Sequence, residues 1–157
     1  MVDPSNDELS LNDDQIRCLR LFSNFAVRYL VIGGHAVRYH GHVRPTKDLD
    51  VLAANDEDNA VRLCNALLKI INWPHPNLKP SQIVSRWRQI NISSWGPQFE
   101  VLTGAEGVNF DAAFARRCVA RVANLAVPIL SREDLLAMKR RSGRAEDLQD
   151  VTALEAV

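Results

Sequence analysis

The stretch Tyr29–Asp50, YLVIGGHAVRYHGHVRPTKDLD, decides the fold. Tyr29-Leu30-Val31-Ile32 is a continuous apolar run ended by Gly33-Gly34, which predicts a buried strand stopped by a backbone turn. His35 to Tyr39 begins a helix, and Gly41 and Pro45 break the chain again. In Asp48-Leu49-Asp50-Val51-Leu52 two acids alternate with Leu49 and Val51, so a strand here has one apolar and one carboxylate-bearing face. Strand, glycine turn, helix and strand form the unit around which the remaining chain is arranged.

Two carboxylates spaced i, i+2 on a strand project from one face, which places Asp48 and Asp50 in one small volume. Like charges held that close require a cation, and Mg2+ suits them because it takes few carboxylates and completes its shell with waters and substrate phosphates. Glu100 alternates with Phe99 and Val101 in a second strand pattern, and faces the same site if the two strands are neighbours. Gly33-Gly34 admits two readings: a tight turn, or a cradle where backbone N–H groups and a helix N-terminus meet a phosphate.

Working outward, Asn12 caps a predicted helix with Ile16, Leu19, Leu21, Phe22 and Phe25 at helical spacing. Asp56, Glu57 and Asp58 open another, stopped by Trp73-Pro74-His75-Pro76. Gln89–Ile92 and Phe99–Leu102 read as adjacent antiparallel strands, and a short helix is expected near Phe110–Cys118. Two apolar runs flank Asn124, a helix starts at Ser131, and Gly143 separates it from a last helix through Leu148, Val151 and Leu154. The pattern is α+β (mixed α/β), a small mixed sheet flanked by helices. Residues 1–11 are expected to form a flexible acidic N-terminus and residues 12–157 a single domain.

The 157 residues, 46% hydrophobic and 24% charged, fit one globular domain. Nineteen Lys and Arg balance nineteen Asp and Glu, so net charge gives no argument for or against nucleic acid. Its distribution is uneven. Residues 116–144 carry eight bases (Arg116, Arg117, Arg121, Arg132, Lys139, Arg140, Arg141, Arg144) against Glu133 and Asp134, either a solvated helical face or an anion-binding surface. No apolar run approaches the roughly 18 residues of a membrane span, and the acidic start is unlike a signal peptide, so a cytoplasmic protein with no membrane association is expected. Cys18, Cys64 and Cys118 encode neither a disulfide framework nor a CxxC metal site. His35, His40 and His42 lack a fourth ligand for zinc. Trp73, Trp87 and Trp95 read as packing residues rather than base-stacking ones.

Ile32-Gly33-Gly34, thirteen intervening residues and Asp48-Leu49-Asp50-Val51 resemble the signature of the nucleotidyltransferase fold of the DNA polymerase beta superfamily. More closely, Tyr29–Asp50, Phe99–Phe110 (FEVLTGAEGVNF) and Leu135–Asp150 (LLAMKRRSGRAEDLQD) resemble minimal bacterial nucleotidyltransferases related to AbiEii-type toxins of toxin–antitoxin and abortive-infection systems. The resemblance implies that Gly33 and Gly34 hold an NTP triphosphate. Asp48 and Asp50 would bind two Mg2+ ions, with Mn2+ able to substitute, and Glu100 would fill a third catalytic and metal-binding carboxylate position where Asp is usual. Arg44, Thr46 and Lys47 match the R-x-T-x-D-h-D pattern of these relatives and either pair with the acids or contact phosphate. Lys139, with Arg144, Asp147 and Asp150, follows their K…R…D…D pattern and is expected near the triphosphate; His35, beside the glycines, would line the nucleotide pocket.

The implied reaction moves a nucleoside monophosphate from an NTP to a hydroxyl, with pyrophosphate released. RNA, a tRNA end foremost, is favoured as acceptor by the basic run, with protein or a small molecule as alternatives. A cognate antitoxin or toxin is the implied protein partner. With little chain beyond the core, acceptor recognition falls to the core surface, a homodimer or that partner. The competing reading is a binding module or inactive relative that keeps the fold and acts through a protein partner.

Overall fold

The structure, a computed structural model, describes residues 7–72 and 78–157. Helix α1 (Asp13–Asn24) starts at Asn12, whose side chain accepts from Gln15 N–H while Gln15 answers the Asn12 N–H, a reciprocal capping box. Strand β1 (Tyr29–Ile32) runs directly into helix α2 (Gly33–Tyr39), so both glycines belong to the helix start. Strand β2 (Leu49–Ala53) begins one residue later than its sequence pattern and leaves Asp48 just outside it. Helix α3 (Glu57–Ile71) is capped by Asp56 and ends at Asn72, in the left-handed region at φ 56°. The Trp73–Pro76 stop signal lies outside the described residues. Helix α4 (Pro80–Ser85), strands β3 (Gln89–Asn91) and β4 (Phe99–Leu102), helix α5 (Phe110–Ala115) and the hairpin of β5 (Cys118–Val122) and β6 (Leu125–Ile129) follow. Helices α6 (Arg132–Ser142) and α7 (Ala145–Glu155) turn at Gly143, φ 66°.

Among the described residues the strands form one sheet in the order β3-β4-β2-β1-β6-β5. The pairs β1–β2, β3–β4 and β5–β6 are antiparallel, β2–β4 and β1–β6 parallel, a mixed sheet as the pattern implied. One face packs on α1, where Phe22 sits edge-on against Tyr29 and Phe99 at centroid distances of 5.4 and 5.2 Å. The opposite face carries Ile32, Asp50 and Glu100 and meets Leu135, Met138 and Lys139 of α6 across a cleft. Cys18 and Cys64 are buried and Cys118 half-buried, all as free thiols. Of the segment 1–11 expected to be flexible, the described residues are tied to β5. Glu8 exchanges backbone and carboxylate hydrogen bonds with Arg121, Asp7 accepts from Ala123 N–H, and Leu9 is buried.

Two polar clamps position the strand ends. Buried Gln15 donates from Nε2 to the carbonyls of Lys47 and Gln98, 2.7 and 2.9 Å, so one amide of α1 fixes the entries to β2 and β4 together. The second clamp joins α6 and α7 to the loop before β2. Arg44 donates to both carboxylate oxygens of Asp150, 2.9 and 3.0 Å, and Lys139 Nζ lies 2.9 Å from Asp150 and 3.0 Å from Asp147.

Gln15→Leu leaves the Lys47 and Gln98 carbonyls without that donor and is expected to cost about 1–3 kcal/mol in urea unfolding. A smaller loss would show that water replaces the amide. Burial alone raises the Asp147 and Asp150 carboxyls, but hydrogen bonds from Ser142 and Lys139 to the first, and from Arg44 and Lys139 to the second, hold both below the usual carboxylate range. The unfolded chain therefore binds protons at these groups before the folded one does. Their stabilisation is complete above the ordinary value of about 4 and is lost as pH falls through the depressed ones. Urea midpoints measured from neutral pH into acid should decline for the wild type, while Asp150→Asn starts lower and declines less; parallel acid limbs would assign the sensitivity to other groups.

Candidate active site

The β2–β4 register sets Asp50 directly opposite Glu100, and the β1–β2 register sets Ile32 opposite Asp50. Facing pairs point to one side of a sheet, so the acids on β2 and β4 enter one volume, as the alternation in each strand predicts. They line an open cleft of about 380 Å³ together with Gly33, Gly34, Arg44, Gln89 and Lys139. Asp48 is exposed just ahead of β2 and is not a lining residue, but it is near enough to act on Asp50. Burial, then the charges of Glu100 and Asp48, push the Asp50 carboxyl up to about 7 against the opposing pull of Lys139 and Arg44. Among the described residues no three side chains of His, Cys, Asp or Glu are placed to hold one metal ion together.

The glycines acquire a packing reason that the sequence did not reveal. A Cβ on Gly33, which sits at φ 68°, would lie 2.5 Å from Asp50 Oδ2, and one on Gly34 would run into the Thr46 hydroxyl. Both residues border the cleft, and their missing side chains are what let Asp50 and Thr46 press against the turn. Arg44 Nη1 also lies 3.4 Å from that Gly34 position. Of the two roles the sequence left open, Arg44 takes the acid pair, though with Asp150 rather than Asp48 or Asp50, and its side chain also borders the cleft. Lys139 is buried between Asp147 and Asp150 and still reaches the cleft wall. Lys47 is exposed, contributes its carbonyl to Gln15, and does not line the cleft.

His35 departs from expectation. It is 2% exposed, absent from the cleft wall, and both ring nitrogens are buried without a hydrogen-bond partner. Burial, then Arg38, lower it to about 4 against a smaller opposing effect of Asp48, so it is a neutral ring at pH 7. His40 Nε2 meets the Leu130 carbonyl at 2.8 Å.

Gln89 was missed. It hydrogen-bonds through Nε2 to Glu100 Oε1 from the outermost strand, and its signal was the alternation of Gln89 and Asn91 with Ile90 and Ile92, a polar strand face. Much of the basic run is paired, in part by its own Asp134 and in part by acids elsewhere. Arg116 pairs with Asp134 at 2.8 Å, Arg140 with Glu155, Arg141 with Glu106 at 3.8 Å, and Arg144 with Asp147 at 3.0 Å. Trp87 and Trp95, expected to pack, are 54% and 39% exposed.

Two solved structures share this architecture. The lincosamide antibiotic adenylyltransferase LnuA, in a lincomycin-bound crystal structure, aligns with a TM-score of 0.57 at 17% identity, over 94% of this chain and 98% of that one. An antigenic nucleotidyltransferase-like protein from Paracoccidioides brasiliensis aligns with a TM-score of 0.52 at 17% identity, over 90% and 74%. At these identities the likeness is one of fold. No curated protein matches the chain by sequence. With the strand, glycine turn and facing carboxylates in place, the match of residues 8–156 to the family described as "Nucleotidyltransferase of unknown function (DUF6036)" places the chain in that family.

Proposed function

We propose that the protein transfers a nucleoside monophosphate from an NTP to a hydroxyl acceptor at the cleft between β1, β2, β4 and α6. The observation that carries this reading is the in-register pair Asp50 and Glu100, with Asp50 packed against the Gly33 turn. The donor set suits hard divalent cations: two carboxylates converge with a third just upstream, and their mutual repulsion contributes to raising the Asp50 carboxyl. Asp48, Asp50 and Glu100 would hold two Mg2+ ions, or Mn2+ in their place, supplying Lewis-acid activation of the acceptor hydroxyl and neutralisation of the pyrophosphate. Arg44 and Lys139 line the same cleft, where their fixed positive charge would orient a triphosphate. Their bonds to Asp150 and Asp147 hold both cations in place before substrate arrives.

Glu100 keeps the charge of the usual aspartate on a longer arm, and its bond to Gln89 limits the freedom that the extra methylene adds. RNA is the proposed acceptor, and the resemblance to AbiEii-type toxins extends the proposal to a cytoplasmic toxin–antitoxin or abortive-infection role. The match to an adenylyltransferase fold supports nucleotidyl transfer and leaves a small-molecule hydroxyl as the competing acceptor class.

Purified protein incubated with each α-labelled NTP, Mg2+ and total tRNA, then with cell lysate, is expected to place label on RNA. Label on a small molecule or protein would overturn the acceptor, and no NTP binding or label anywhere would overturn the transfer. The double variant Asp48→Ala, Asp50→Ala should reduce labelling to background; surviving activity would mean the site is misplaced. Gly33→Ala forces a Cβ onto Asp50 at positive φ and is expected to lower kcat by roughly 10²-fold or more while the chain still folds, as checked by circular dichroism.

A further inference from the structure

Resting on the transfer reading, a surface beside Glu100 specifies how the acceptor approaches. The pairing of β3 with β4 places Asn91 opposite Glu100 and Gln89 opposite Leu102. A bond of 2.9 Å from Thr103 N–H to the Arg88 carbonyl carries the ladder one residue past the strand. Trp87 then falls opposite Gly104, where a Cβ would collide with the indole, so one face of the ring lies on bare backbone. Alternation puts Trp87 on the side of Gln89, and Trp87 shares a small cavity with Leu52, which is two residues along β2 from Asp50. Glu100, the Gln89 amide and an indole 54% exposed thus follow one another along a single face, spanning about 13 Å by strand rise.

The segment that carries this strip is charged differently from the 116–144 run. Residues 78–99 contain Lys79, Arg86 and Arg88 and no acid. Among the described residues none of the three cations forms an ion pair, although Arg88 Nε donates to the Gln82 carbonyl. By the same alternation Arg86 and Arg88 leave the segment on the side opposite Trp87, so the rim of the sheet offers cations along its outermost edge and an exposed indole on one face, which matches what single-stranded nucleic acid requires, since every base has a stacking face and every linkage a negative charge.

We propose that this edge of the sheet is the docking platform for the 3′ end of a single-stranded RNA acceptor, with an unpaired base stacked on Trp87 and the terminal ribose led past Gln89 to Glu100. The phosphates are drawn in by the field of Lys79, Arg86 and Arg88. Sequence-tolerant binding follows, because stacking and charge carry the recognition.

The test is fluorescence anisotropy of a short fluorescein-labelled single-stranded oligoribonucleotide across a range of NaCl concentrations, without NTP. Trp87→Ala is expected to weaken binding by roughly tenfold or more, and Trp87→Phe, which restores a ring over Gly104, to retain most of it. Lys79→Ser with Arg86→Ser should flatten the dependence of log Kd on log salt by about one to two units. Arg140→Ser, in the neutralised run, should change neither. Wild-type affinity in both the Trp87→Ala and the Lys79/Arg86 variants would overturn the platform, as would wild-type protein that labels a small-molecule hydroxyl and does not bind the oligonucleotide. In both cases label transfer by the wild type would leave the nucleotidyltransferase reading standing, so the two failures are distinguishable.

Discussion

Everything at the cleft depends on the approach of Asp50 to Gly33. A carboxylate pressed against a helix-initiating turn is possible only where the turn residue has no side chain and can adopt positive φ. The same contact sets β2 against β1, and the parallel register of β4 then brings Glu100 alongside. Three backbone segments distant in sequence are fixed by one steric condition. The cost is electrostatic, since a half-buried carboxyl is held beside two others and its proton affinity rises to match.

Positive charge answers that cost from the C-terminal end of the chain. Asp150 serves both Arg44 and Lys139, so α7, which contributes only its first turn to the cleft wall, controls where the two cations stand. Lys139 buried with two carboxylates has little freedom to reorient. That arrangement favours a fixed field over a mobile one, and fixed fields stabilise developing charge without first having to be assembled.

The unit from Tyr29 to Leu52 was legible because each of its signals is local: an apolar run, a glycine pair, an alternation of period two. The pairing of β3 with β4 and the caps at Asn12 and Ser131 were legible for the same reason, whereas the two apolar runs about Asn124 did not by themselves declare the hairpin they form. What escaped depends on distance in the fold. His35 looked like a pocket residue from its place beside the glycines, but α2 turns it into the interior. The basic run left a solvated face and an anion surface both open because the acids that pair with it, Glu106, Asp147 and Glu155 among them, belong to other segments or other faces. Gln15 and Gln89 carry no pattern of their own beyond polarity, and their partners are carbonyls and a carboxylate far along the chain or across a ladder.

The acidic segment at the start of the described chain deserves to be seen as part of the sheet. A last strand with open N–H and C=O groups is a template on which another chain can grow. At β5, Glu8 and Asp7 answer the donors of Arg121 and Ala123 with carboxylate oxygens, and the Glu8 backbone answers the Arg121 carbonyl. Carboxylates satisfy those groups while repelling a second acidic segment that would compete for them. The two margins of the sheet therefore have opposite characters among the described residues: one is capped by acidic residues at Arg121 and Ala123, and the other, at β3, is short and preceded by cations, so the two rims meet an approaching chain with opposite charge.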